Sequence, residues 1–166
     1  MDFDCIKTDI LSLGEAKIPS PIKQGEHGKN LYCFVSENDK VLLDLNYDSM
    51  MLKIKNKNDI PAFELAGPRN KIYFDPSKVK CALVTCGGLC PGLNDIIRAI
   101  VLELYYGYGV RNIFGIRYGL QGFMPQYGHS ILDLYPDLVV NILDMGGSIL
   151  GSSRGPQPID EVVYSL

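Results

Sequence analysis

The chain has few of the residues that build metal and redox centres. Its five cysteines, Cys5, Cys33, Cys81, Cys86 and Cys90, are an odd number without a CxxC pair, and only His27 and His129 could join them as ligands. A zinc or disulfide framework has no usable spacing here, so reduced, packing-type cysteines and no metal site are expected. No apolar run is long enough for a membrane span or a signal sequence, and the N-terminus carries Asp2 and Asp4, so no membrane association and a cytoplasmic location are expected. An excess of positive charge is also missing: 16 Lys and Arg against 19 Asp and Glu give a formal net charge of -3. The densest basic cluster, Lys53, Lys55 and Lys57, alternates with Leu52, Ile54 and Asn56 and reads as the solvated face of a strand. Nucleic acid is therefore not an expected partner.

What is present is an ordinary globular composition, 46% hydrophobic and 21% charged over 166 residues, enough for one domain with a real core. Residues 1–30 are weakly patterned, punctuated by Pro19, Pro21, Gly25 and Gly28, and read as an irregular lead-in. Residues 31–78 read as a small β-rich extension and linker, with a hairpin in which LYCFV and VLLDLNY flank SENDK, and a further short strand at Met51 to Ile54. From residue 79 the pattern changes. VKCALVT is a short strand-like run, and Leu93, Ile96, Ile97, Ile100, Val101 and Leu104 then share one face of a helix that stops at Gly107. VRNIFGIR is a second strand, so this part predicts a strand, helix, strand crossover and a parallel sheet. A helix is expected from Pro136 through Leu143 to Gly146, a brief strand at GGSIL, and the start of another helix near Pro158.

Between the first strand and helix stands TCGGLCPGLN, Thr85 to Asn94. Glycines at such a junction let an anion approach the backbone or permit positive φ, and the helix N-terminus adds free N–H groups and a positive dipole end. Pro91 stiffens the loop, and Asn94 is placed to brace it. The pattern matches neither the Walker loop nor GxGxxG, so a phosphate cradle competes with a purely structural turn. A second loop, GGSILGSSRGP, from Gly146 to Pro156, is also rich in glycine and hydroxyls and carries Arg154, whose fork of donors suits phosphate oxygens. Loops that follow parallel strands open at the carboxyl edge of the sheet, where ligands bind in such folds.

TCGGLCPGLNDIIR followed by GGSILGSSRGPQ, with AGPRNKIYFDP upstream, resembles the phosphofructokinase family, in the group shared by plants, kinetoplastids and some bacteria. The resemblance runs from about residue 62 to the end of the chain. It implies an α/β fold with a doubly wound, mostly parallel sheet, present here in part behind a small, mainly β N-terminal extension, residues 79–166 being part of the nucleotide-binding domain. It implies transfer of the γ-phosphoryl of ATP, with Mg²⁺, to fructose 6-phosphate, and a homo-oligomer for the whole enzyme. By the same resemblance Gly87 and Gly88 meet the nucleotide phosphates through the backbone, Arg154 reaches phosphate during transfer, and Gly155 follows it in the nucleotide contact. The family's GGDG-type loop, which helps hold Mg²⁺, and its TIDND-type loop, which supplies the base, have no match here. The chain is therefore expected to be an incomplete and inactive portion, with no residue of it assigned as base or metal ligand; Asp95 and Asp144 are expected to be structural. A pyrophosphate-dependent relative and a non-catalytic nucleotide-binding piece are the alternatives. Arg98 matches one of two effector-site arginines found in common bacterial members, while Leu102 stands at the other, and Leu120 replaces a frequent aromatic.

Overall fold

Short apolar runs interrupted by proline build the first of two units, Met1–Tyr73; the second is Phe74–Leu166. The computed structural model describes residues 6–22, 34–56 and 60–165. In the first unit lie β1 (Ile18–Pro19), β2 (Lys40–Leu42), α1 (Tyr47–Asn56), β3 (Ala62–Glu64) and β4 (Lys71–Ile72). β1 pairs antiparallel with β4, and β2 pairs antiparallel with β3, with Val41 opposite Phe63. The expected lead-in thus contributes a strand, Pro19 sitting in a two-residue ladder where its missing N–H costs little.

The expected hairpin differs. Residues 31–33 lie outside the described residues, but the turn after them exists: Asp39 N–H donates to Ser36 O (3.1 Å) and Ser36 N–H to the Asp39 carboxylate (2.7 Å). Beyond the turn the chain leaves its neighbour, because Val41 and Leu42 find their apolar partners at Phe63 and Ala62. The strand expected at Met51 to Ile54 is part of α1. Asn46 accepts from Ser49 N–H (3.1 Å), and Asp44 accepts from Asn46 N–H (2.9 Å) and the Ser49 hydroxyl (2.6 Å), so capping chemistry at the start of the run outweighs its alternation. The same hydroxyl, then the amide, holds the Asp44 carboxyl below its usual range. Lys53 and Lys55 therefore belong to a helix, and Lys57 lies outside the described residues.

The second unit contains β5 (Lys80–Val84), α2 (Leu93–Leu102), β6 (Asn112–Ile116), β7 (Leu132–Asp133), α3 (Pro136–Val139) and α4 (Ile159–Tyr164). β5 and β6 are parallel, in register from Lys80 with Asn112 to Val84 with Ile116, and β7 adds antiparallel to β6. The sheet order is β5-β6-β7. This is the expected α/β arrangement, with the crossover helix between its parallel strands. Ile97 and Val101 of α2 pack with Ile113, Leu134, Val139, Ile142 and Leu150, and Cys81 and Leu83 of β5 join them.

The apolar stripe of α2 is wider than the face it buries. Ile97 is 2% exposed whereas Ile96, one position earlier, is 56% exposed. Trimming one methylene at each position separates the two environments. Ile97→Val should cost roughly 0.5–1.5 kcal/mol, and Ile96→Val should stay within about 0.5 kcal/mol of the parent, read from urea unfolding midpoints.

Two further expectations are corrected. The helix from Pro136 ends at Val139 and gives way to a turn closed by Met145 N–H on Ile142 O (3.2 Å), because Val139, Val140 and Asn141 are a run of weak helix formers. GGSIL forms a turn and not a strand: Gly151 N–H donates to Ser148 O (3.0 Å), and Gly147 and Gly151 take φ of 81° and 65°, outside the strand region. No helix of the described residues is long and apolar enough to cross a membrane.

Candidate functional site

β5 ends at Val84, and the chain then turns through Gly87 at φ 87° and enters α2 from Gly92 at φ 88°. At both glycines the left-handed conformation is what demands the residue, since no atom lies within 4 Å of a Cβ at Gly87. Gly88 lies beneath the arginine of the second loop. A Cβ there would stand 3.4 Å from Arg154 Nη2, so the guanidinium lies over this residue. Gly155, at φ 100°, turns the chain away immediately after the arginine.

The two glycine loops, some sixty residues apart in sequence, are joined by hydrogen bonds. Gly87 N–H donates to Ser153 O (3.1 Å), and the Ser152 hydroxyl donates to Gly87 O (2.5 Å). The Thr85 hydroxyl donates to Gly151 O (2.6 Å) and accepts from the Ser148 hydroxyl (3.0 Å). The amide of Gly87 is thus committed to the second loop. Gly87 sets the loop pair, while the amides of Gly88 and Leu89 have no backbone acceptor among the described residues. Arg154 is exposed and has no ion pair among the described residues. A guanidinium without an ion pair among the described residues thus lies over the glycine loop that leads from the carboxyl end of β5 into the ten-residue helix α2.

All four expected site residues, Gly87, Gly88, Arg154 and Gly155, come together in this loop pair. Sequence reasoning missed Thr85, Ser148 and Ser152, ordinary hydroxyl residues whose partners are remote in sequence. It also missed Tyr118, whose φ of 60° is the one positive value at a non-glycine among the described residues. The Tyr118 ring lies 2.8 Å from where a Cβ on Gly151 would stand, tilts against His129 with ring centroids 4.4 Å apart, and has the Arg117 guanidinium over it at 5.3 Å. Gly119 after it, itself at φ 61°, was the available signal, since a turn with two consecutive positive-φ residues takes glycine at the second. Leu120 lies within a 3₁₀ turn, Gly119–Phe123.

Asp95 sits in the first turn of α2, where a carboxylate complements the helix dipole, and Asp144 is an exposed residue beyond α3. Leu102 packs against the core, and Arg98, one turn earlier, is half-buried. Among the described residues no group of three or more His, Cys, Asp or Glu could hold a metal ion.

Packing describes only one of the cysteines in view. Cys81 is half-buried against the core, but Cys86 and Cys90 are exposed on the glycine loop, because its positive-φ turn carries them out of the sheet. Cys5 and Cys33 lie outside the described residues. Burial also pushes the Cys81 thiol above its usual range. Since the thiolate is the reacting form, brief iodoacetamide treatment at neutral pH should label Cys86 and Cys90 and spare Cys81, as read by peptide mass mapping. Equal labelling of all three would contradict the packing of β5.

A parallel strand pair with a crossover helix places the molecule in the α/β class, and the glycine loop and the arginine of the second loop form its candidate site at the strand ends. Residues 80–165 match the Phosphofructokinase family, and the chain belongs to that family. It is 45% identical over 159 residues to the ATP-dependent 6-phosphofructokinase of Borreliella burgdorferi, covering 95% of this chain and 34% of that protein. It is 43% identical over 155 residues to the ATP-dependent 6-phosphofructokinase of Amycolatopsis methanolica, covering 93% and 34%. It is 40% identical over 177 residues to the chloroplastic ATP-dependent 6-phosphofructokinase 5 of Arabidopsis thaliana, covering 96% and 33%. The chain spans about a third of the length of these relatives.

Proposed function

We propose that this chain is the nucleotide-side portion of an ATP-dependent 6-phosphofructokinase, which moves the γ-phosphoryl of ATP to the 1-hydroxyl of fructose 6-phosphate. The observation that carries the reading is the seating of Arg154 over Gly88, with its guanidinium unpaired among the described residues, on the loop that leads into α2. Phosphoryl transfer needs little covalent help from the protein. It needs donors fixed against charge that spreads over the equatorial oxygens as the bond to the leaving phosphate breaks. Arg154 is the donor group placed for that charge, the amides after Gly87 hold the nucleotide phosphates, and Gly155 lets the chain clear them. Gly88 is the backbone position over which the guanidinium lies.

Mg²⁺ is part of the proposed reaction, where it would neutralise phosphate charge, and the described residues hold no group of three or more His, Cys, Asp or Glu to bind it. The base that takes the sugar hydroxyl proton is likewise assigned to no residue of this chain. A cytoplasmic, homo-oligomeric whole enzyme, with no nucleic acid or membrane partner, completes the proposal.

The 166-residue chain alone is expected to show no turnover in a coupled assay with fructose 6-phosphate and Mg²⁺, with ATP or pyrophosphate as donor. The whole polypeptide carrying it is expected to turn over with ATP. Turnover with pyrophosphate instead would transfer the proposal to the pyrophosphate-dependent enzyme, and nucleotide binding without turnover would support a non-catalytic role. Robust activity of the isolated chain that survives purification would show that the acceptor chemistry lies within it.

A further inference from the structure

We propose that Asn94 is a positioning residue for phosphoryl transfer: from the helix that follows the glycine loop, it fixes the separate loop that carries Arg154. The inference rests on the phosphoryl-transfer reading above. Asn94 is the buried polar residue of the described chain, at 2% exposure. Both ends of its amide are engaged, Nδ2 donating to Met145 O at 2.8 Å and Oδ1 accepting from Ile149 N–H at 2.9 Å. These partners bracket Gly146, Gly147 and Ser148, so one side chain holds both sides of the bend that begins the Arg154 loop. The Thr85 hydroxyl holds the next stretch through Gly151 O, three residues before Arg154, and meets the Ser148 hydroxyl as well.

A merely structural role explains this poorly. The second position of a helix that already buries Ile97 and Val101 would be served as well by an apolar side chain, and asparagine is a weak helix former. Both hydrogen-bond partners of Asn94 belong to one loop, more than fifty residues away, and that loop brings the guanidinium of Arg154, which has no ion pair among the described residues. Gly147, Gly151 and Gly155 at positive φ leave the loop without a regular backbone ladder of its own, so outside tethers must set its pose. An arginine aimed at a transition state tolerates little displacement, because a misplacement of about 1 Å can cost roughly 100-fold in rate.

The test is a double-mutant cycle in the whole enzyme carrying this segment. Asn94→Ala should lower kcat roughly 10- to 100-fold with a much smaller change in the KM for ATP. The Asn94→Ala, Arg154→Ala double variant should be no slower than Arg154→Ala alone, while the melting temperature falls by the same amount in either background. Losses of kcat that multiply would overturn the proposal, because Asn94 would then act independently of Arg154. Thr85→Val, nearly isosteric and able to keep β5 intact, should show the same non-additivity and serves if Asn94→Ala does not fold.

Hydrogen exchange reads the tether without activity. The Ile149 amide should exchange faster in Asn94→Ala, and unchanged protection would overturn the tether itself. Absence of turnover by the unsubstituted whole enzyme with either donor would instead overturn the phosphoryl-transfer reading and the catalytic part of this proposal with it.

Discussion

Arg154→Ala in the whole enzyme is expected to lower kcat by roughly 100- to 1,000-fold, with a much smaller change in the KM for ATP. The guanidinium lies over Gly88, is exposed and has no ion pair among the described residues, so the fold does not depend on its charge. On the proposed reading its donors meet phosphate charge as it develops, and an interaction realised mainly in the transition state appears in kcat. Arg154→Lys should recover only part of the loss, since a point charge does not reproduce the planar fork. Steady-state kinetics with ATP as the varied substrate check the split. Equal losses in kcat and in nucleotide affinity would make Arg154 an anchor for the ligand and no more.

Gly119→Ala is expected to damage stability and the site together. Gly119 is buried at φ 61°, and an added Cβ would stand 2.7 Å from Ser153 Oγ, 3.1 Å from Ser153 N and 3.2 Å from Thr85 O. The hydroxyl can rotate away, but the two backbone atoms cannot, and they belong to the two loops of the site. Overpacking costs about 1–3 kcal/mol, and the left-handed conformation adds roughly 1 kcal/mol for a residue with a Cβ. The melting temperature should fall accordingly. The wedge would press Thr85 and Ser153 apart and strain the nearby bond from Gly87 N–H to Ser153 O, so binding of ATP, followed by calorimetry, should weaken as well. Gly128→Ala is the control, because it has positive φ but no atom within 4 Å of the added carbon. It should show the backbone cost without the effect on the site.

Much of the second unit could be read in advance because its signals are local. Val79 to Thr85 and the run from Asn112 carry strand composition, glycines separate them from a helical stripe, and β5, α2 and β6 follow in that order. The first unit was less legible. The turn at Ser36 to Lys40 is real, yet Val41 pairs with Phe63, a partner that no local pattern specifies. In α1, capping by Asp44 and Asn46 overrode an alternation of lysine and apolar residues that imitates a strand. The stripe on α2 showed which residues are apolar but not that Ile97 would be buried and Ile96 exposed, since that depends on where the sheet and α3 lie against the helix.

The sequence by itself determined the glycine positions, the helix that follows them, Arg154 and the family likeness, because glycine requirements and hydrophobic periodicity are written into neighbouring residues. Only the tertiary structure decided how these parts are used. It committed the amide of Gly87 to Ser153, placed Arg154 over Gly88, and turned Asn94 from a local brace into the clamp of a distant loop. The physical reason is that each is a contact between segments some fifty to seventy residues apart, whose geometry arises only when β5, α2 and the second loop pack together.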